Sequence, residues 1–323
     1  MKKLPIHQYL PNASELVYGC MGLGGNWTQD PLTKQDFSLA HQVIEHVLAS
    51  NINVFDHADI YQFGKAEQVF GQVLKDNPAL REQMIIQSKC GIRFEDAHGP
   101  KRYDLSADWI KESTNQILSR LNTEYLDVMV LHRPDPLMEA DEIAKALSEL
   151  KASGKVKYFG LSNMHASQAA YLAQALDQPL IVNQLELSLT NLHWLEEGVY
   201  AGNPDGAHVN FTAGTLEYAR ANNMQIQAWG SLSQGLFCGR DVSANSTAIQ
   251  KTAKYIKTLS EKYNTSLEAI VLAWLLRHPA NIQPVIGSTN VGRINACTQA
   301  LSITLSREQW YQIYTLARGT ELP

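Results

Sequence analysis

The feature that most constrains the fold of this chain is a regular alternation of short apolar runs with longer amphipathic segments. Eight runs have the length and apolar content of buried strands: Val17–Met21, Ile52–Asp56, Met84–Ser88, Tyr125–Leu131, Val156–Leu161, Leu180–Asn183, Gln225–Trp229 and Gln283–Ile286. Segments with helical periodicity follow them, around Lys34–Ser50, Ala66–Lys75, Ala107–Leu121, Glu139–Ser153, Ser167–Leu176, Gly214–Asn222, Ser246–Tyr263, Ser266–Arg277, Val291–Gln299 and Arg307–Ala317. Strands that alternate with helices form a parallel sheet, because each helical crossover returns the chain to the same end of the sheet.

Two α/β architectures satisfy this alternation, a doubly wound open sheet and a closed (β/α)8 TIM barrel. Eight strand–helix units, without a dominant glycine-rich turn after the first strand, favour the barrel. The length of 323 residues also fits, because such barrels take roughly 250 residues before insertions. No low-complexity linker interrupts the chain, so residues 1–323 are predicted to form a single barrel domain.

Charge and composition argue against several functional classes. The net charge is −5 with both signs interspersed, whereas a nucleic-acid-binding protein would carry a basic stripe. No stretch approaches the roughly 18 consecutive apolar residues of a membrane span, and no apolar signal-peptide segment follows Lys2 and Lys3. The four cysteines form no CxxC pair, which argues against a zinc site or disulfides and favours a reducing cytoplasm. A cytoplasmic protein with no metal, no membrane contact and no nucleic-acid partner is therefore predicted.

Polar side chains follow three of the predicted strands, at the points where the strands end. Asp56 and Tyr61 follow the second strand, Lys89 the third and His132 the fourth. The carboxyl ends of barrel strands meet on one face, so these side chains are expected to share a site. A tyrosine titrates near 10, and a nearby ammonium is expected to lower that pKa, with Asp56 holding Lys89 charged and His132 orienting the substrate. The set suits protonation of a carbonyl oxygen while another group attacks the carbon.

Each of these residues also has an ordinary structural explanation. A lone Asp after a strand usually caps a turn, and a lone Tyr usually packs in a half-buried position. Lys89 is more informative, because a lysine is rarely buried without a partner. His57 alternates to the opposite face of its strand from Asp56, so we interpret it as structural. The joint occurrence at successive strand ends is what indicates a functional site.

A nucleotide cofactor would have to bind without a conventional fingerprint. No P-loop is present, and Gly22-Leu23-Gly24-Gly25 is too weak a match to a dinucleotide motif. Candidate contacts are the polar and aromatic side chains at the ends of later strands, namely Ser162, Asn163, Gln184 and Trp229. A second candidate is the small-residue loop that leads into the helix bearing Arg293, because a helix N-terminus with a nearby guanidinium binds phosphate. In that loop Ser288 and Asn290 also suit simple N-capping.

Taken in order, these residues resemble the aldo-keto reductase family, in its bacterial-type NADP-dependent form. The matching segments are Phe55-Asp56-His57-Ala58-Asp59-Ile60-Tyr61, Ser88-Lys89, Leu131-His132-Arg133-Pro134-Asp135, Gly154-Lys155-Val156-Lys157-Tyr158-Phe159-Gly160-Leu161-Ser162-Asn163, Asn183-Gln184, Ala228-Trp229 and Pro284-Val285-Ile286-Gly287-Ser288. Any one segment is only suggestive. The ordered set, which covers the chain from about residue 17 to about residue 300, is highly specific.

The resemblance implies an eight-stranded barrel that binds NADPH across its carboxyl-terminal face and reduces an aldehyde or ketone by direct hydride transfer. It implies that Tyr61 donates the proton, that Asp56 and Lys89 adjust the pKa of Tyr61, and that His132 orients the carbonyl. The cofactor contacts it implies are Ser162, Asn163 and Gln184 at the nicotinamide carboxamide, Trp229 against the ring, Gly230, Leu232 and Gly235 over the pyrophosphate, and Ser288, Asn290 and Arg293 at the adenosine 2′-phosphate. Gly287 is a further predicted cofactor-binding residue.

Two positions depart from the family pattern. The loop Gly230–Gly235 reads Gly-Ser-Leu-Ser-Gln-Gly, where many members have Ser-Pro-Leu-Gly. Ala296 and Cys297 stand where many members carry Glu-Asn for the adenine, which leaves the preference for NADPH resting mainly on Arg293.

Other readings and the substrate stay open at the level of sequence. Some members of the family serve as channel-associated subunits, so an NADP(H)-binding sensor with slow turnover is the alternative function, and a barrel of unrelated chemistry is a third. Three predicted loops, 91–105, 184–213 and 230–246, would shape the pocket for a small-molecule carbonyl substrate. Trp27, Phe94, Trp194 and Phe211 either line that pocket or anchor the loops. The absence of an obvious exposed apolar helix favours a monomer.

Overall fold

The eight predicted strands form a closed parallel barrel. The computed structural model describes residues 3–323, and the barrel strands are β1 (Val17–Gly19), β2 (Val54–Asp56), β3 (Ile85–Cys90), β6 (Leu126–Leu131), β7 (Val156–Ser162), β8 (Leu180–Glu186), β9 (Gln225–Trp229) and β10 (Gln283–Ile286). Their order around the barrel is β1-β10-β9-β8-β7-β6-β3-β2, so each strand lies beside its neighbour in sequence and β1 closes onto β10. The barrel is confirmed, and the doubly wound alternative is excluded.

Helices surround the barrel at all ten predicted places, and α6 is an additional short helix. Their bounds are α1 (Lys34–Ala49), α2 (Lys65–Asp76), α3 (Ala107–Leu121), α4 (Ala140–Ala152), α5 (Ala166–Ala175), α6 (His193–Val199), α7 (Thr215–Ala221), α8 (Thr247–Tyr263), α9 (Leu267–Leu276), α10 (Val291–Thr298) and α11 (Arg307–Arg318). Helix α3 shows why the boundaries are sharp, because Ser106 caps its first turn and Asn122 ends it in the left-handed conformation, with φ of 50°.

The strand ends differ from the prediction at two places that matter for the site. Strand β3 continues to Cys90 and β8 continues to Glu186, because backbone pairing with the neighbouring strands carries on. Lys89 therefore lies inside β3, paired with Val130, and Gln184 lies inside β8, paired with Gln227. Both side chains thus project from rigid strands.

Two of the predicted loops contain regular structure. The 91–105 segment folds back as a hairpin of β4 (Ile92–Arg93) and β5 (Arg102–Tyr103), and Asp96 bonds to arginines of both hairpin strands. The prediction of a loop over 184–213 is wrong at its start, where β8 continues to Glu186, and in its middle, where α6 forms. Helix α6 is short, with seven residues, and its periodicity is too brief to be recognised in the sequence.

Apolar side chains pack on both sides of the barrel wall, in two separate clusters. The larger cluster lies between the strands and the helices. The smaller one fills the amino-terminal end of the barrel, where Leu4, Ile6 and Leu10 of the N-terminal segment close it against inward residues such as Val54 and Val128. Each such buried aliphatic side chain contributes roughly 1.5–3 kcal/mol, so this end is a stable floor beneath the opposite, carboxyl-terminal face.

Helices α2 and α3 meet at unusually close range behind β3. A methyl group placed on Gly71 would lie 2.0 Å from the carbonyl oxygen of Arg120, so only glycine permits this approach. The contact sets Arg120 against buried Glu67, with Nε 2.7 Å from the carboxylate, and Glu67 in turn accepts from the Ser88 hydroxyl at 2.7 Å. This buried network braces β3 next to Lys89.

No helix among residues 3–323 is long and apolar enough to cross a membrane. Over the same residues, no group of three or more His, Cys, Asp or Glu side chains is placed to hold a metal ion. The four cysteines are free thiols.

Candidate active site

The segment after β2 delivers Tyr61 to the carboxyl-terminal face of the barrel. Backbone pairing continues beyond the strand, since the His57 amide donates to the Gln87 carbonyl at 2.8 Å. The chain then turns sharply, and Gln62 and Phe63 both adopt left-handed φ angles of 51° and 59°. Such consecutive non-glycine residues are strained, and strain of this kind is concentrated at functional sites.

Lys89 is the centre of the site. Its ammonium is fully buried and lies 2.7 Å from Asp56 Oδ1 and 2.8 Å from Oδ2. It also donates to the carbonyl of His57 at 2.8 Å and to the hydroxyl of Tyr61 at 3.0 Å. The structure thus brings together three of the four predicted side chains in direct contact.

The electrostatics of this cluster are dominated by burial. Burial pulls the pKa of Lys89 down, but the charge of Asp56 and the bonds to Asp56 and Tyr61 more than offset it, so the net pKa is raised and the ammonium stays charged. The expected lowering of the Tyr61 pKa is wrong as a net effect. Burial raises the pKa of that phenol, and Lys89 only partly offsets it. Tyr61 therefore holds its proton firmly and is suited to giving it to a stronger base.

His132 faces the same space from the end of β6. Its ring centroid is 6.3 Å from that of Tyr61, edge to face. Burial, followed by the charges of Lys89 and Arg133, places its pKa well below the usual range, so the imidazole is neutral. Its Nδ1 atom is buried without a hydrogen-bond partner among the described residues. The neutral ring can therefore offer one N–H to an oxygen in the site.

His57 faces away from the site, as predicted. Its ring packs against Phe70 of α2 at 4.5 Å, and burial followed by the charge of Lys89 lowers its pKa to about 3. Asp59, by contrast, was not singled out from the sequence. Its carboxyl accepts from the Ser113 hydroxyl at 2.7 Å, and burial raises its pKa to about 7.

Three aromatic side chains pack together close to Tyr61 in the chain. Phe63, two residues after Tyr61, packs between Trp27 at 5.7 Å and Phe94 at 4.9 Å. Trp27 is 45% exposed, so this group reaches the protein surface. Trp194 lies elsewhere, fully buried against Trp274, and therefore anchors its helix.

The polar residues of β7 and β9 form a second cluster beside the first. Asn163 has a left-handed φ of 56°, and its side chain donates to Ser162 Oγ at 2.7 Å and to the His132 carbonyl at 3.3 Å. Its Oδ1 accepts from Trp229 Nε1 at 3.0 Å. The indole is thereby fixed at the end of β9, and the residue is partly exposed.

Gln184 lies between these clusters, buried in the barrel wall. Its Nε2 donates to Gln227 Oε1 at 3.1 Å, and its own Oε1 accepts no hydrogen bond from residues 3–323. Gln227 in turn bonds to Gln87, whose amide donates to Asp56 Oδ1 at 2.6 Å. Sequence reasoning missed Gln87 and Gln227. Each lies two residues before a site residue, Lys89 and Trp229 respectively, and strand alternation puts such residues on the same inward face.

The remaining predicted cofactor residues lie on exposed loops at the rim. Gly230 and Gly235 have left-handed φ angles of 67° and 79°, and the Gly235 amide donates back to the carbonyl of Leu232 at 2.8 Å. The other loop is held by its own polar groups, since the Asn290 side chain caps α10 by accepting from the Arg293 amide at 3.0 Å.

Three further residues complete that second loop. Ser288 Oγ accepts from the Asn290 amide at 3.2 Å, and Gly287 and Arg293 are exposed. Arg240, which is exposed, was not predicted; burial raises the pKa of the Cys238 thiol, and the charges of Arg293 and Arg240 partly offset that rise.

Comparison with known proteins identifies the family of this chain. The sequence model of the aldo/keto reductase family matches residues 15–318. The chain belongs to the aldo/keto reductase family. It is 36% identical over 315 residues to a 6-dehydroglucose reductase of Agrobacterium fabrum, covering 96% of both proteins, and 34% identical over 304 residues to the uncharacterized oxidoreductase YcsN of Bacillus subtilis, covering 93% and 94%.

A solved aldo-keto reductase of Klebsiella pneumoniae, in complex with NADPH, has the same fold. The TM-score is 0.74 at 19% identity, over 94% of this chain and 91% of the other. Membership of the family makes this aldo/keto reductase an NADP-dependent oxidoreductase that acts on small carbonyl compounds.

Proposed function

We propose that this aldo/keto reductase reduces an aldehyde or ketone to an alcohol, with Tyr61 as the proton donor. The observation that carries the proposal is the contact of 3.0 Å between Lys89 Nζ and the Tyr61 hydroxyl, in a pocket where Asp56 holds the lysine charged. A phenol with a raised pKa keeps its proton until an alkoxide forms, and an adjacent ammonium stabilises the phenolate that is left.

The residues at the rim fit the nicotinamide end of NADP(H). The free Oε1 of Gln184 suits a carboxamide NH2, and Ser162 and Asn163 offer polar groups beside it. Trp229 supplies an aromatic face held by Asn163. When bound, NADPH supplies the hydride that the carbonyl carbon receives.

The phosphates would lie against the two exposed loops. We assign Gly230, Leu232 and Gly235 to the pyrophosphate, and Gly287, Ser288, Asn290 and Arg293 to the 2′-phosphate. The support is charge and position: Arg293 is exposed in the first turn of α10, where the helix dipole and the guanidinium both favour an anion. Arg240 would add a second positive charge.

The chain's own residues then perform the proton chemistry. His132, neutral because of its burial, donates to the carbonyl oxygen and orients it toward Tyr61. Tyr61 gives its proton to that oxygen as negative charge develops there. Lys89 and Asp56 do not exchange protons with the substrate; they hold the positive charge where the phenolate forms.

The competing function is an NADP(H) sensor with slow turnover, and one kinetic experiment separates the two. The purified protein is supplied with NADPH and a panel of small aldehydes, ketones and sugar aldehydes, including 6-dehydroglucose, the substrate named for the Agrobacterium fabrum relative. A kcat within the usual range of about 1–1,000 per second for any member supports the reductase. Tight NADPH binding with no turnover across the panel would favour the sensor.

A further inference from the structure

The interior of the barrel directly beneath the site is polar, which is unusual for this fold. Barrel interiors are normally filled by branched apolar side chains. Here four strands each place a glutamine there, and all four side chains are at most 2% exposed: Gln87 of β3, Gln184 of β8, Gln227 of β9 and Gln283 of β10. The last three are register neighbours on one wall, whereas Gln87 pairs with Asp56 on the opposite wall.

The four amides form one connected network across the barrel. Gln87 and Gln227 exchange two hydrogen bonds, Nε2 of each donating to Oε1 of the other, at 2.8 and 3.0 Å. At one end, Gln87 Nε2 donates to Asp56 Oδ1 at 2.6 Å. At the other end, Gln227 Oε1 accepts from Gln184 at 3.1 Å, and Gln227 Nε2 donates to Gln283 Oε1 at 3.0 Å.

The direction of every bond in this network follows from the carboxylate at its end. Ionised Asp56 only accepts hydrogen bonds, so the NH2 of Gln87 must face it and the Oε1 of Gln87 must face Gln227. The NH2 of Gln227 is thereby turned to the Oε1 of Gln87, and the Oε1 of Gln227 accepts from both Gln87 and Gln184. The oxygen of Gln184 is the remaining acceptor.

We propose that Gln87 and Gln227 are positioning residues that couple the proton-donating cluster to the nicotinamide subsite through the barrel interior. Gln87 holds the carboxylate of Asp56 against Lys89, and Gln227 fixes the amide of Gln184 with its oxygen presented to the carboxamide of the cofactor. This inference rests on the proposed function, because it takes Gln184 as a nicotinamide ligand and Asp56 as the partner of the active-site lysine.

Packing alone does not explain such a network. A buried amide whose partners are all present only roughly compensates its desolvation, and apolar residues of equal volume are often at least as stable. A network of connected buried amides instead fixes one arrangement of side chains. A single fixed arrangement is what the site needs if Gln184 must present its Oε1 to the carboxamide of the cofactor.

The experiment replaces each glutamine with methionine, which has a similar volume and cannot form the hydrogen bonds. Gln87→Met and Gln227→Met are compared with Gln225→Met, a matched control on the same strand β9. Gln225 is equally buried but bonds to the carbonyls of Ile226 and Asn281, outside the network. Calorimetry measures the binding of NADP+ and of 2′-phospho-ADP-ribose, which lacks the nicotinamide.

The two network variants are expected to bind NADP+ about tenfold more weakly, the effect of roughly one hydrogen bond, and to bind 2′-phospho-ADP-ribose as the wild type does. The double variant should bind NADP+ no more weakly than either single variant, because the two residues act as one unit. Gln225→Met should bind both ligands normally. Gln227→Leu provides the same test if the methionine does not fit.

Two results would overturn the proposal, and they are distinguishable. If the wild type binds NADP+ no better than 2′-phospho-ADP-ribose, or binds neither, the proposed function fails and the coupling fails with it. If the wild type shows a nicotinamide contribution that survives in Gln227→Met, or that Gln225→Met removes equally, the site stands but the positioning role is wrong.

Discussion

The two halves of the candidate site are built in opposite ways. On the proton-donating side, Asp56, Lys89 and Tyr61 are joined by contacts of 2.7 to 3.0 Å in the interior of a rigid barrel. On the phosphate side, Asn290 caps helix α10, Arg293 lies in its first turn, and both are exposed. The first half is held together by contacts among the protein's own side chains. The second half has exposed polar groups that can form hydrogen bonds with a ligand. Substitutions there are therefore expected to change the affinity for the cofactor.

This contrast predicts the largest effects on the assembled side. Lys89→Met should reduce turnover by about 10²–10⁴-fold, since it removes the cation beside the proton donor. It should also lower the free energy of unfolding by about 3–5 kcal/mol, because Asp56 is left as an unpaired buried charge. Steady-state kinetics and denaturant unfolding measure the two effects.

A companion variant separates them. Lys89→Met combined with Asp56→Asn should recover most of the lost stability and none of the activity. Recovery of activity in the double variant would show that the lysine is needed only to neutralise the aspartate.

The assembled side should also have a distinct pH dependence of stability. Burial raises the pKa of Asp59 from 3.8 to about 7, so between these values the folded protein holds a proton that the unfolded chain has released. The stability contribution of this group is therefore fully present below pH 3.8 and is lost as the pH rises to about 7. Asp59→Asn should remove that loss. Relative to the wild type, the variant's free energy of unfolding should be higher at pH 8 than at pH 4 by at most about 4 kcal/mol. Urea unfolding across this pH range tests the prediction. If the free energy of unfolding changes with pH in the same way in the wild type and the variant, the prediction is contradicted.

On the phosphate side, Arg293→Ala should weaken binding of NADPH about tenfold and leave NADH within about twofold, since an exposed charge-assisted hydrogen bond contributes modestly. Arg307→Ala, at an exposed arginine that opens α11, is the matched control. Titration by NADPH fluorescence measures the affinities. Equal losses for both nucleotides would show that Arg293 does not read the 2′-phosphate.

The smallest effect is expected at Asn290. Asn290→Asp keeps the cap on α10, so the melting temperature should stay within about 2 °C of the wild type. The added negative charge should weaken NADPH binding about threefold at low salt, and the effect should shrink at high salt. An unchanged affinity would restrict Asn290 to its capping role.

The same contrast explains what could be predicted from the sequence. The barrel and the strand-end residues follow from short-range patterns, because each apolar run carries its own polar side chain to the same face. Gln87 and Gln227 are 140 positions apart in sequence, and their contact exists only once the barrel closes. The pKa direction of Tyr61 was wrong because the sequence shows the neighbouring lysine but not the degree of burial.

The measurement that tests the central claim most directly is the behaviour of Tyr61→Phe, which removes one hydroxyl and keeps the ring. NADPH binding by fluorescence titration and NADPH oxidation with the best carbonyl substrate are compared with the wild type. A preassembled proton donor predicts binding within about twofold and turnover reduced at least 10²-fold. Retention of most of the turnover, with NADPH still bound, would contradict it.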